Sequence, residues 1–128
     1  MARFTLSKQE RLSSLKEIER LFAEGKSLTK YPFRLVWNEN LSETGFPVQV
    51  MFSVSEKKFS SAVDRNRIKR LMREAYRLWK PDFYQALPDG KTFNLGLIYT
   101  GNEILEFQAI QKSLTQALER MITQCGQP

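Results

Sequence analysis

The segment that decides the fold is a short, strongly basic stretch near the middle of the chain. Residues 64–77 read DRNRIKRLMREAYR and carry six basic side chains, five of them arginine, against two acids. At about 100° per residue, a helix would separate an apolar side from a basic side on which Asn66 also lies. The apolar side would hold Ile68, Leu71, Met72, Ala75, Leu78 and Trp79, and the basic side Lys69, Arg70, Arg73, Arg77 and Lys80. We therefore expect a helix over residues 62–80, ended by Pro81, that packs on a sheet and exposes a basic face.

The charge of the chain is concentrated in the same region. Residues 57–80 hold nine Lys and Arg against two acids, a charge of +7, whereas the whole chain is +6, so the rest sums to −1. At helical i,i+3 and i,i+4 spacing the region has six like-charge pairs against three opposite-charge pairs, a net cost on the order of 1 kcal/mol. Bound phosphates would reverse the sign of that cost. We therefore interpret the basic face as a polyanion-binding surface, with a merely solvated helix face as the alternative.

Composition narrows the possible functions further. With 128 residues, 41% of them apolar, we expect one folded domain spanning residues 1–128. No apolar run is long enough to cross a membrane, and no secretory signal is recognisable, so we expect a cytoplasmic protein. Cys125 is the single cysteine, which excludes an intrachain disulfide and predicts an inert thiol. The absence of histidine excludes histidine-based catalysis and ligation, so we predict no catalytic residue and no metal site in the protein.

The remaining segments predict a mixed α and β protein. Residues 13–25 have the pattern of an amphipathic helix that is capped by Ser14 and ended by Gly25. Alternating apolar residues predict strands over residues 31–40, 47–55 and 93–101, and helical spacing predicts a last helix over residues 106–123. Turn residues at 40–45 suggest that the first two strands form an antiparallel pair.

The region around the basic helix also resembles a known family. Residues 50–77, VMFSVSEKKFSSAVDRNRIKRLMREAYR, resemble the signature of the protein subunit of bacterial ribonuclease P. That signature has a strand, a Lys-Lys pair, a turn, and then Arg-Asn-Arg-x-Lys-Arg-x-x-Arg on a helix, which Arg65, Asn66, Arg67, Lys69, Arg70 and Arg73 match in register. The order of elements, helix-strand-strand-helix-strand-helix, is also similar across most of the chain.

The resemblance implies a fold, a function and a set of binding residues. The fold would be an α/β (α+β) two-layer sandwich, as in certain ribosomal protein domains, with a left-handed βαβ crossover. The protein would assist a catalytic RNA, which itself holds the magnesium ions, in removing the 5′ leader from precursor tRNA. Residues implied to bind the RNA subunit are Lys57, Lys58, Arg65, Asn66, Arg67, Lys69, Arg70, Arg73 and Arg77. A cleft for the single-stranded leader would involve Ile18, Phe22, Val36 and Trp37, although strand alternation places Trp37 on the face opposite Val36.

Three other functions are compatible with a basic helix. A structural, ribosomal-type RNA-binding protein would bind RNA without assisting cleavage. A DNA-binding regulator would place the helix in a major groove, but strands rather than a short helix precede it. A self-sufficient protein nuclease is the remaining alternative. In every case we expect a nucleic acid partner, no membrane and no obligate protein partner.

Overall fold

A four-stranded sheet and three α-helices make up the part of the chain that the structure describes. The computed structural model describes residues 6–40 and 46–125. After a 3-10 turn at Lys8–Glu10 come α1 (Leu15–Glu24), β1 (Lys26–Lys30), β2 (Phe33–Glu39), β3 (Val48–Val54), α2 (Ala62–Ala86), β4 (Phe93–Tyr99) and α3 (Phe107–Cys125). The predicted order of elements is confirmed, with β1 as one further strand. Within the described ranges, no helix is long and apolar enough to cross a membrane.

The order of the strands corrects the predicted antiparallel pair. The sheet runs β1-β2-β4-β3, so β4 lies between the two strands expected to be neighbours. β4 is antiparallel to β2 and parallel to β3. Because α2 carries the chain back along the sheet, β4 can enter parallel to β3 and pair with it, as in other strand-helix-strand units. Most of the predicted turn, residues 41–45, lies outside the described residues.

The sheet buries apolar side chains on both faces. One face carries Phe33, Leu35, Leu95 and Leu97, which form the main core with α2 and α3. On the other face Val36 forms a second cluster with Leu12 and Leu21. α1 therefore covers part of the sheet face that α2 and α3 leave open, and an open area remains beside it.

The long helix α2 continues past the expected stop at Pro81. A proline inside a helix removes one backbone hydrogen bond, and the prediction treated that loss as a terminus. However, Phe83 is fully buried beyond it, with its ring 6.0 Å from that of Tyr76 and 5.9 Å from that of Trp79. Because this packing depends on another turn of helix, it outweighs the cost of the proline, and α2 ends at Ala86.

The first helix follows its prediction closely. The Ser14 hydroxyl accepts a hydrogen bond from the backbone N–H of Glu17 at 3.3 Å, which caps the helix. Gly25 ends it in close contact with the sheet, since a Cβ at this position would lie 2.8 Å from the Val36 side chain and 3.0 Å from the carbonyl oxygen of Trp37, as well as 2.4 Å from the carbonyl oxygen of Leu21. No other residue could occupy this position without moving α1.

Candidate nucleic-acid interface

The start of α2 forms a basic groove on the protein surface. The Ser61 hydroxyl accepts from the backbone N–H of Asp64, which fixes the first turn of the helix. From there the residues at one-turn spacing share one side of the helix. They line a cavity of about 450 Å³, namely Val63, Asn66, Lys69, Arg70 and Arg73. The structure thus brings four of the predicted RNA-binding residues together around one groove.

The groove continues toward the N-terminal segment of the chain. A second cavity of about 310 Å³ is lined by Arg11, Leu12, Val50, Met51, Phe52, Lys69 and Arg73. A third, of about 350 Å³, is lined by Leu6, Arg11, Arg70, Arg73, Glu74 and Arg77. Arg73 belongs to all three cavities, so they form a continuous basic surface along α2, which we call the α2 groove.

Arg11 is a member of the α2 groove that the sequence prediction missed. Its backbone forms a β-bridge with Val50 at the edge of β3, and the N–H of Leu12 donates to the Val50 carbonyl oxygen at 2.8 Å. No local sequence pattern predicts that Arg11 lies on this surface, because its neighbours have no helical or strand periodicity. Only the docking of the N-terminal segment beside α2 adds it to the surface.

A buried ion pair holds that N-terminal segment in place. Glu10 is 2% exposed and lies 3.0 Å from the ammonium of Lys80, while the Tyr84 hydroxyl donates to it at 2.6 Å. Burial raises the pKa of Glu10, but hydrogen bonds from Tyr84, Ser7 and Lys80 outweigh it, so the pKa lies below its usual value. The helical spacing placed Lys80 on the exposed basic face, and this prediction is wrong because Lys80 is buried.

The other predicted basic residues divide between solvent and structural contacts. Arg67 is exposed, whereas the guanidinium of Arg65 donates to the carbonyl oxygens of Phe59 and Ser60 at 2.8 and 2.9 Å. Lys58 donates to the carbonyl oxygen of Thr100 at the end of β4.

Two further predicted residues also differ in their surroundings. Lys57 is exposed on the loop before α2, and its backbone N–H donates to the Ser55 hydroxyl. Arg77 is paired with Glu74, three residues earlier on the same helix. The freely exposed cations near the groove are therefore fewer than the sequence count suggests.

A separate apolar surface lies on the α1 side of the sheet. Ile18 packs against the cluster that contains Val36, and Phe22 is 46% exposed on α1. Gly96 lies below Phe22, since a Cβ at Gly96 would be 3.8 Å from the Phe22 ring. We call Ile18, Phe22, Val36 and Gly96 the α1 cleft.

Trp37 does not belong to the α1 cleft. It is 3% exposed and lies in the main core on the opposite face of the sheet. The structure thus brings Ile18, Phe22 and Val36 together but separates Trp37 from them, because consecutive residues of a strand point to opposite faces. The proposed cleft is corrected accordingly.

A polar network fixes α1 over the sheet. Asn94 is fully buried; its amide donates to the Glu17 carboxylate at 3.1 Å and accepts from Asn40 at 2.8 Å. A hydrogen bond from Arg20 is the main cause that holds the pKa of Glu17 below its usual value. Arg20 also donates to the carbonyl oxygen of Glu39 at 2.9 Å. The network thereby ties α1 to β2 and β4, and the sequence pattern contained no sign of it.

Comparison with known proteins agrees with this architecture. The Ribonuclease P family model matches residues 6–122. A ribonuclease P protein component from Porphyromonas gingivalis (strain ATCC 33277) is 35% identical over 121 residues, covering 94% of this chain and 88% of the relative. One from Geotalea uraniireducens (strain Rf4) is 32% identical over 121 residues, covering 94% and 98%.

Solved structures show the same fold. The chain superposes on the RNase P protein from Thermotoga maritima with a TM-score of 0.69 at 26% identity, over 86% of this chain and 96% of that one. For the Staphylococcus aureus RNase P protein the TM-score is 0.72 at 23% identity, over 88% and 94%, a likeness of fold alone. With the family model matching almost the whole described chain, this protein belongs to the Ribonuclease P family.

Proposed function

We propose that this protein uses two separate surfaces in tRNA 5′ processing, the α2 groove for the RNA subunit and the α1 cleft for the leader of precursor tRNA. As a member of its family, the chain is the protein subunit of ribonuclease P, assisting the catalytic RNA in removing the 5′ leader. The observation that carries the two-surface proposal is that the basic residues lie on α2 and the exposed aromatic Phe22 lies on α1, and these two helices pack on opposite faces of the sheet.

The α2 groove has the chemistry that RNA backbone binding needs. Asn66, Arg67 and Arg70 are exposed, so their side chains can reach a partner without rearrangement of the core. One planar guanidinium group can donate two parallel hydrogen bonds to the oxygens of a phosphate. The Asn66 side chain can hydrogen-bond to a base edge or a sugar hydroxyl. The remaining assigned cations, Lys57, Lys58, Arg65, Lys69, Arg73 and Arg77, would add to the positive potential around this contact.

The α1 cleft has the chemistry that an unpaired strand needs. Phe22 presents an exposed ring, and bases stack on such rings whatever their sequence. Gly96 leaves space below the ring, and Ile18 and Val36 give the cleft an apolar side. Because Ile18 and Val36 have aliphatic side chains, we expect Phe22 to supply most of the stacking.

The chemical step belongs to the RNA subunit in this proposal. The chain contains no histidine. Among residues 6–40 and 46–125, no group of three or more His, Cys, Asp and Glu side chains is arranged to hold a metal ion. Magnesium ions would therefore be held by the RNA, and the protein would contribute positioning and charge neutralisation rather than a nucleophile or a proton.

Cleavage at limiting magnesium tests this function. The rate of leader removal from a precursor tRNA by a bacterial catalytic RNA is measured with and without the protein. We expect strong stimulation that disappears when the RNA subunit is omitted, because the protein has no catalytic group of its own. Tight RNA binding without stimulation would instead favour a structural RNA-binding protein, and cleavage by the protein alone would favour a nuclease.

A further inference from the structure

Arg73 lies where the three cavities of the α2 groove meet. It lines each of them, and Arg11 lines two of the three. These two arginines come from different parts of the chain, one from the N-terminal segment and one from the middle of α2. Their meeting is a feature of the tertiary structure that no spacing within α2 predicts.

Arg73 is a partly buried cation whose hydrogen-bonding capacity is not fully satisfied. Its guanidinium is half-buried over the Phe52 ring, 5.8 Å from the ring centroid, and its Nε is buried without a hydrogen-bond partner. Burial and the neighbouring positive charge of Arg11 both lower the pKa of Arg73. A bound anion would offset both the desolvation of this guanidinium and its repulsion by the second cation.

The described residues do not supply that anion. The ion pairs found within residues 6–40 and 46–125 involve neither Arg11 nor Arg73. Glu74 lines the same groove, but it is bound by Arg77.

The arrangement is also held in place. The Arg11 backbone is bridged to Val50, and the adjacent Glu10 is fixed by its buried ion pair with Lys80. Stacking on Phe52 limits the freedom of Arg73. Because the Arg11 backbone and the Arg73 guanidinium are already in place, less conformational entropy is lost when the two residues bind a shared ligand.

We propose that Arg11 and Arg73 together bind a single phosphate group of the RNA subunit, with Arg11 presented by the N-terminal segment. This inference rests on the proposed function of the α2 groove and adds a residue outside α2 to it. The phosphate would accept hydrogen bonds from the groove-facing N–H groups of both guanidinium groups. Its negative charge would also remove the repulsion between the two arginines.

The number of phosphates can be counted from the salt dependence of binding. The dissociation constant for the catalytic RNA is measured between low and moderate salt for the parent protein, Arg11→Gln, Arg73→Gln and the double variant. Each phosphate contact contributes about 0.7–0.9 to the slope of log affinity against log salt. If one phosphate is shared, each single variant loses affinity by about tenfold, the usual effect of one charge-assisted hydrogen bond, with little change of slope. In the double variant, the slope of log affinity against log salt then falls by the contribution of one phosphate contact. Its loss of affinity is smaller than the product of the losses in the two single variants.

Controls separate binding from folding. Arg120→Gln on α3 removes the same charge far along the chain from the groove and should leave the affinity within about twofold of the parent. Arg73→Lys keeps the charge but loses the planar fork, so it should keep the parent slope with weaker affinity. Arg11→Gln should leave the melting temperature unchanged or raise it, because it removes a like charge from beside Arg73, whereas a structural role would lower it.

Two results would overturn the shared phosphate. The first is a salt slope that falls by one phosphate contact in each single variant and by two contacts in the double variant, which would mean that the arginines bind two independent phosphates. Parent-like affinity in both single variants would mean that neither arginine touches RNA. If the parent protein itself failed to bind the catalytic RNA, the function proposed for the α2 groove would fail as well.

Discussion

Replacing Glu10 by glutamine should destabilise the protein strongly, because Glu10 is the buried carboxylate that faces Lys80. The Lys80 ammonium lies 3.0 and 3.1 Å from the two carboxylate oxygens, and Glu10 also accepts from Tyr84 at 2.6 Å and from the Ser7 backbone at 3.0 Å. Both members of the ion pair are buried. Glutamine keeps the shape but removes the negative charge, so Lys80 loses the carboxylate that compensates for its burial.

The structure sets the size of this effect. Removing one partner of a buried ion pair typically costs about 3–5 kcal/mol, a large part of the stability of roughly 5–15 kcal/mol that small domains have. We expect a loss in this range in urea unfolding followed by circular dichroism, and a melting temperature lower by on the order of 10–20 °C. Glu119→Gln, at an exposed glutamate on α3, is the matched control and should change the stability by less than about 0.5 kcal/mol.

A second variant and a pH series sharpen the test. The double variant Glu10→Gln, Lys80→Met should recover much of the loss, because it removes both buried charges. Since the pKa of Glu10 is lowered in the folded state, its contribution is complete above the ordinary value of 4.5 and is lost as the pH falls through the folded value. The parent should therefore lose more stability than Glu10→Gln on acidification. A cost below about 1 kcal/mol for Glu10→Gln would refute the role given to this ion pair.

Three further predictions concern the two binding surfaces and the support of α1. Arg70→Ala should weaken binding to the RNA subunit and lower the salt slope by about 0.7–0.9; an unchanged slope would show that Arg70 contacts no phosphate. Phe22→Ala should weaken binding of leader-bearing precursor tRNA by about 1–3 kcal/mol in equilibrium titrations, while leaderless tRNA, the control, binds as before; an equal loss for both would remove Phe22 from the leader site. Gly25→Ala should lower the unfolding free energy by about 1–3 kcal/mol, because its Cβ would lie 2.4 Å from a backbone oxygen. Gly96→Ala, whose Cβ would meet no atom closer than 3.5 Å, is the control for it, and equal losses would contradict the packing described.

Local patterns in the sequence predicted the elements whose signals are strong. The apolar side of α2 is buried as expected at Ile68, Met72 and Ala75. The predicted last helix is present as α3, whose buried residues recur at helical spacing, namely Ile110, Leu114, Ala117, Leu118 and Met121. α1 begins at its Ser14 cap and ends at Gly25. These features depend on side chains within one turn of each other, so a single segment contains the information.

Features that depend on contacts between distant segments escaped prediction. β1 has one buried apolar residue, Leu28, because an edge strand needs little burial, so its sequence lacks a clear strand pattern. Lys80 has the spacing of an exposed cation, and only the arrival of Glu10 explains why it is buried. Arg11 joins the α2 groove for the same reason, through the docking of the N-terminal segment.

The most direct test of the two-surface account is cross-linking from one position on each surface. Because Cys125 is the single cysteine, a Cys125→Ser background allows one photoreactive probe to be attached to Phe22→Cys or to Arg67→Cys. In the complex with the catalytic RNA and a precursor tRNA, the account predicts that the probe at position 22 labels the leader and the probe at position 67 labels the RNA subunit. Labelling of the RNA subunit from position 22, unchanged when the leader is removed, would contradict it.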